Sequence, residues 1–202
     1  AALGLVALGR GDANAALPEL RRAVALDDSY APAQEWYGIA LIRRGRVAEG
    51  VTHLKTALGL DPLSVATIAW LGAAAYQEGR FDEAIAYSRQ ALELSPRRTD
   101  VLMTMGQAYE AQGDPDRAIE AFERYGAIGR YYRPEAAALL AHAYALAHRP
   151  LEARAELAFA RAHARDVDPT DLAAAATAVG DRSGGAVGRS PEQRAHRAAM
   201  YA

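Results

Sequence analysis

The five histidines, at positions 53, 142, 148, 163 and 196, are the side chains best suited to moving protons or holding a metal, and their spacing suits neither task. His142 and His148 are six residues apart and fall on different sides of a helix. Cysteine is absent, which excludes disulfides, thiolate metal sites and a cysteine nucleophile. Gly184-Gly185 is not followed by Lys and then Ser or Thr, so the sequence contains no phosphate-binding loop, and no Gly-x-Ser-x-Gly turn presents a serine. Glu83, Glu93 and Asp116 stand where solvated helix faces and first turns favour carboxylates. Catalysis needs converging groups, and none can be assembled. The expectation is therefore no enzyme, with no catalytic residue, no metal site and no cofactor.

Recognition chemistry is better represented. Trp36 and Trp70 are 34 residues apart, and each can bury a large area against a ligand while offering an indole N–H. The net charge is -2, and Arg43-Arg44 and Arg97-Arg98 are too short to make a basic patch, so no nucleic acid is expected. The longest apolar run, Ala136 to Ala141, ends at Glu135 and His142 and is far too short to enter a bilayer, so no membrane insertion is expected. The expected compartment is the cytoplasm, with the periplasm as the alternative for a piece of a longer protein. The chain opens on Ala1 inside a helical pattern and reads as such a piece.

The elements that position these residues follow from a repeat. Gly4, Gly38, Gly72 and Gly106 step by 34, and seven residues beyond each stand Gly11, Gly45, Gly79 and Gly113. A small residue follows twelve past the first glycine, at Ala16, Gly50, Ala84 and Ala118. Four further on come Leu20, Leu54 and Phe122, with Ser88 as the exception. Each spacing has a physical reading. A glycine inside a helix costs about 1 kcal/mol against alanine, a cost tolerated where a second helix backbone must come close. The second glycine suits a left-handed helix C-terminus, and Pro62 and Pro96 close two of the units. Helix pairs are expected at 1–9 with 12–26, 30–44 with 46–59, 64–78 with 81–94 and 98–112 with 115–128. Ser64, Asp82 and Asp114 are expected as N-caps, Asp114 with Pro115 behind it, and Pro18 should kink or delay its helix. Core positions are Tyr37, Leu41, Leu54, Leu71, Phe122, Leu140, Tyr144 and Leu157.

This pattern resembles the tetratricopeptide repeat, W-x2-L-G-x2-Y, then A-x3-F, then P. The best copies here are Ile68 to Ala75 with Ala84 and Pro96, and Leu102 to Tyr109 with Ala118 and Phe122. The resemblance implies an all-α fold, a right-handed superhelical solenoid of stacked antiparallel helix pairs. Five repeats are expected over 1–164, at 1–30, 31–64, 65–98, 99–132 and 134–165. A partial sixth is expected over 166–181, then a flexible Gly-rich segment and a short C-terminal helix over 182–202, opened by the capping box Ser190 to Gln193.

First helices line the concave side in the resembled family. The expected peptide-binding groove is therefore Trp36, Ile39, Arg43, Trp70, Ala73, Tyr76, Met103, Gln107, Glu110 and His142. The expected function is a scaffold holding a peptide or protein partner. The alternatives are a structural module that self-associates into a homo-oligomer, or the C-terminal regulatory part of a larger bacterial signalling or transcription protein. Some family members grip a partner's C-terminal carboxylate with Lys and Asn on the inner helices. Here the sole Asn, Asn14, and the sole Lys, Lys55, fall on second helices, so that grip is not expected.

Overall fold

The computed structural model describes residues 13–129 and 133–180, together with Gly9 and Tyr131. All regular structure among them is helical. The chain divides into two compact units, one running to Ser95 and one starting at Pro96. The first unit holds α1 (Ala13–Leu26), α2 (Ala31–Arg43), α3 (Val47–Leu60), α4 (Val65–Gln77) and α5 (Phe81–Leu94). The second holds α6 (Thr99–Ala111), α7 (Pro115–Ala127), α8 (Arg133–Leu146), α9 (Pro150–Ala162), a single 3-10 turn (Ala164–Asp166) and α10 (Pro169–Ala178). In the first unit α2 packs on α3 and α4 on α5, while α1 lies against α2 and α3 against α4. In the second unit α6 packs on α7, α8 on α7 and α9, and α10 on α8. The helix expected over 1–9 (Gly9 apart), the segment 182–189 and the capping box Ser190 to Gln193 lie outside the described residues.

The turns inside each pair explain the second glycine register. Gly45, Gly79 and Gly113 have φ of 78°, 73° and 77°, the left-handed conformation that a side chain resists. Each closes its helix with the same two bonds. Arg46 N–H donates to Leu41 O at 2.9 Å and Gly45 N–H to Ile42 O at 2.9 Å; Arg80 to Ala75 and Gly79 to Tyr76, and Asp114 to Tyr109 and Gly113 to Glu110, repeat them. This is the Schellman arrangement, which satisfies carbonyls that the helix end would leave orphaned. The turn between α8 and α9 makes the same bonds through Arg149 and His148, and there a histidine occupies the left-handed position, φ 58°.

The residue that ends one helix also starts the next. Arg46, Arg80 and Arg149 sit at N-cap positions without a side-chain cap bond, and each pairs with the glutamate three residues on, Glu49, Glu83 and Glu152. At the fourth such turn the charges are exchanged: Asp114 caps Arg117 N–H and pairs with the Arg117 guanidinium at 3.4 Å. Ser64 caps Thr67 as expected. Asp82 does not cap: α5 begins at Phe81 after Arg80, which leaves Asp82 inside the first turn, where a carboxylate still favours the helix dipole. α1 runs through Pro18 without delay. Pro18 is exposed, so the Asn14 carbonyl it releases can be hydrated.

The interior is built from the expected registers. Tyr37, Leu41, Leu54, Leu71, Phe122, Leu140, Tyr144 and Leu157 are all buried, as are Ala16, Gly50, Ala84, Ala118 and Ala153. Second helices keep an outer polar face. First helices do not: α4 is buried without interruption from Thr67 to Ala75, and α6 from Asp100 to Tyr109. A helix covered on every side belongs inside a stack, and α6 takes Asp100, Thr104 and Gln107 in with it.

Candidate functional site

In the first unit the expected groove residues divide sharply by depth. Trp70 is 2% exposed and belongs to the core with Ile39, Tyr37 and Leu71. Ala73 is also buried. Trp36 is half-buried, packs against the same core, and meets the Tyr30 ring edge-on at 6.5 Å. Arg43, at the last turn of α2, lays its guanidinium over the Trp70 ring at 5.6 Å from the centroid. Burial pushes the Arg43 pKa below its ordinary value, as expected of a cation drawn partly out of water. Tyr76, at the last turn of α4, is half-buried, its ring 5.8 Å from Phe81. The two tryptophans therefore share a sequence register and not an exposure.

In the second unit Met103 and Gln107 are buried, and the Gln107 Oε1 has no hydrogen-bond partner. Glu110 and His142 come together across α6 and α8, with His142 Nδ1 2.9 Å from Glu110 Oε1. A carboxylate oriented on an imidazole could serve acid–base chemistry if a nucleophile faced it. The hydroxyl of Thr104 on the same helix donates instead to Asp100 O at 2.9 Å. Among the described residues no group of three or more His, Cys, Asp or Glu is placed to hold a metal ion.

Several polar contacts had no signal in sequence because they link residues far apart in the chain. Glu35 Oε2 on α2 accepts from Ser64 Oγ at 2.8 Å and from Thr67 Oγ1, tying one repeat to the next. Gln34 Nε2 donates to Asp28 O at 2.8 Å, which leaves its Oε1 to accept from His53 Nδ1 at 2.7 Å. His53 also meets the Tyr37 ring edge-on at 4.7 Å. Desolvation lowers the His53 pKa from its ordinary value, with Glu49 opposing in part. In the second unit Tyr144 Oη donates to Glu123 at 2.9 Å, and Arg149 stacks over the Tyr144 ring at 4.5 Å. The sole Lys and Asn lie on α3 and α1, both second helices.

Two sequence profiles described as tetratricopeptide repeat match the chain, one over residues 75–143 and one over 1–65 and 38–99. The chain is a tetratricopeptide repeat protein. No curated protein matches it by sequence. Among solved structures this repeat protein is similar to a crystal structure of MamA at 22% identity, TM-score 0.73, covering 81% of this chain and 95% of that one. A second MamA crystal structure covers 92% of this chain and 94% of its own at 18% identity, TM-score 0.67. MamA from Desulfovibrio magneticus RS-1, residues 41 to the end, shares 18% identity with TM-score 0.73 over 80% of this chain and 91% of its own. Identities this low carry the fold, and the fold alone does not carry a function. No helix among the described residues is long and apolar enough to cross a membrane.

Proposed function

We propose that the protein is a scaffold that holds an extended peptide segment of a partner protein along its first helices, each unit offering one face. The observation that carries the reading is where exposure survives on those helices. They are buried along most of their length, and the positions of the expected set that are partly open are Trp36, Arg43 and Tyr76 in the first unit and His142 in the second, with the Glu110 side chain only 9% exposed behind it. These five combine aromatic area, a cation fixed on an indole, and a carboxylate–imidazole pair, the mixture that anchors a peptide by a few side chains. Trp70, Ile39, Ala73 and Met103 support this face from beneath. The reading is of a non-enzymatic protein working in the cytoplasm.

The test is a peptide selected from a random library against the intact protein, then titrated against variants. Trp36→Ala combined with Tyr76→Ala should weaken a selected peptide by about tenfold or more with the helical circular dichroism unchanged. Equal affinity in that variant and in Glu110→Ala would reject the first helices as the binding face. Trp70→Ala is unsuitable as a probe, because removing a core tryptophan costs about 3–5 kcal/mol of stability.

A further inference from the structure

In the first unit every exposed large apolar side chain among the described residues lies at one kind of place. Leu26, Tyr30, Leu60, Leu63 and Leu94 are 78%, 44%, 43%, 70% and 43% exposed, and all sit where a second helix hands over to the next first helix. Leu26, Leu60 and Leu94 are the last residues of α1, α3 and α5 and step by 34, so the repeat itself lines them along one edge. An exposed leucine register is not explained by the core, which is complete without it, and exposed apolar patches mark interaction surfaces.

At the first two of these connections the charge has one sign, while the third, 95–98, carries Arg97 and Arg98 and runs into the other unit. Asp27, Asp28 and Asp61 are the only charged residues in the connections 26–30 and 60–64, and all three are exposed. Asp27 Oδ1 accepts from Ser29 N–H at 3.0 Å, and Asp61 Oδ1 accepts from Leu63 N–H at 3.3 Å, which hold these carboxylates at the turns. The last turns of α1, α3 and α5 contain no basic residue. Each second-helix C-terminus here adds about half a negative charge and the N-terminus of α2 or α4 beside it about half a positive one, so the backbone contributions largely cancel and the aspartates set the sign.

We propose that this leucine–aspartate edge is a second docking surface, distinct from the first helices, and that its occupant is a cationic amphipathic helix of another protein. Leucines at Leu26, Leu60 and Leu63 receive the apolar stripe, and Asp27, Asp28 and Asp61 receive lysines or arginines along its margin. The same charge repels an anionic membrane surface. It also opposes a second copy meeting this edge with its own.

The probe is a synthetic amphipathic helix with leucines on one face and lysines on the other, labelled for fluorescence anisotropy, beside the same peptide with glutamate for lysine. The full protein should bind the lysine probe about tenfold or more tightly than the glutamate probe at low salt, with the difference shrinking as salt screens it. Leu26→Ser, Leu60→Ser and Leu63→Ser together should weaken the lysine probe by about tenfold, and Asp27→Asn, Asp28→Asn and Asp61→Asn together should erase the preference over glutamate. Both sets change exposed residues and should leave circular dichroism unaltered. Tyr76→Ala, at the far end of α4, should bind the lysine probe as the wild type does, which separates this edge from the first helices. Equal binding of the two probes, or undiminished binding by the leucine variant, overturns the proposal. So does self-association in sedimentation that the leucine variant abolishes, since the edge would then be an interface between copies.

Discussion

The crossing of α2 on α3 and the crossing of α4 on α5 occupy the same place in consecutive repeats and are packed differently. In the first, Gly38 and Gly50 face each other so closely that a Cβ on Gly50 would stand 2.6 Å from the Gly38 carbonyl oxygen and 2.6 Å from Ile42, and one on Gly38 would meet Gly50 O at 2.8 Å. In the second, a Cβ on Gly72 would find Tyr87 Cβ at 3.3 Å and Ala84 O at 3.5 Å, ordinary or nearly ordinary contacts. The polar parts differ as well. His53 and Gln34 bridge the first crossing, and 34 residues on the same positions are Tyr87 and Ile68. One repeat is held by backbone approach and a part-buried polar pair, the next by side-chain packing. A shared glycine register thus does not imply a shared need for glycine.

The largest test of this contrast is Gly50→Ala. The gain in helix propensity, about 1 kcal/mol, is outweighed by a clash with backbone that cannot move aside, and unfolding in urea should show a loss of about 3 kcal/mol. Glycine need at the other register can be tested by its exception. His148→Gly should raise stability by about 1 kcal/mol, because it removes the left-handed strain of a β-carbon at φ 58°. Alanine at Gly45, by the same reasoning, should lower stability by a similar amount.

The polar bridge should make the first crossing the acid-sensitive one. His53 is held below its ordinary pKa of 6.5 by desolvation, so the unfolded chain takes up its proton first as pH falls. Its contribution to stability is then fully present above about pH 6.5 and is lost progressively below it. Melting temperatures between pH 8 and 5 should fall for the wild type and flatten in His53→Gln, which keeps a donor for Gln34 without the titration. An unchanged slope in that variant would place the acid sensitivity elsewhere. The smallest expected effect is Gly72→Ala, where propensity and a slight crowding of Tyr87 nearly cancel, leaving stability within about 0.5 kcal/mol of the wild type. A large loss there would erase the contrast between the two crossings.

Local and periodic features were legible in advance because local physics enforces them. Gly45, Gly79 and Gly113 are where the backbone turns left-handed, Ser64 and Asp114 cap helices, and the small and large registers of the second helices are the core. Asp82 was misplaced by two positions, because the turn residue Arg80 both closes α4 and opens α5, a double use that a capping preference does not reveal.

The candidate face was less legible. Trp36 and Trp70 have the same offset from their glycines, yet one is half-exposed and the other is core. Offset fixes the direction of a side chain from its own helix and says nothing of what lies above it. For the same reason the approach of Glu110 to His142, of Gln34 to His53 and of Glu35 to Ser64 appears only once the helices are stacked. The sequence by itself determined the helices, their period and the turns between them, since those rest on contacts within a few residues. Which faces stay open to a partner was decided only by tertiary structure, because burial is a property of neighbours distant in the chain.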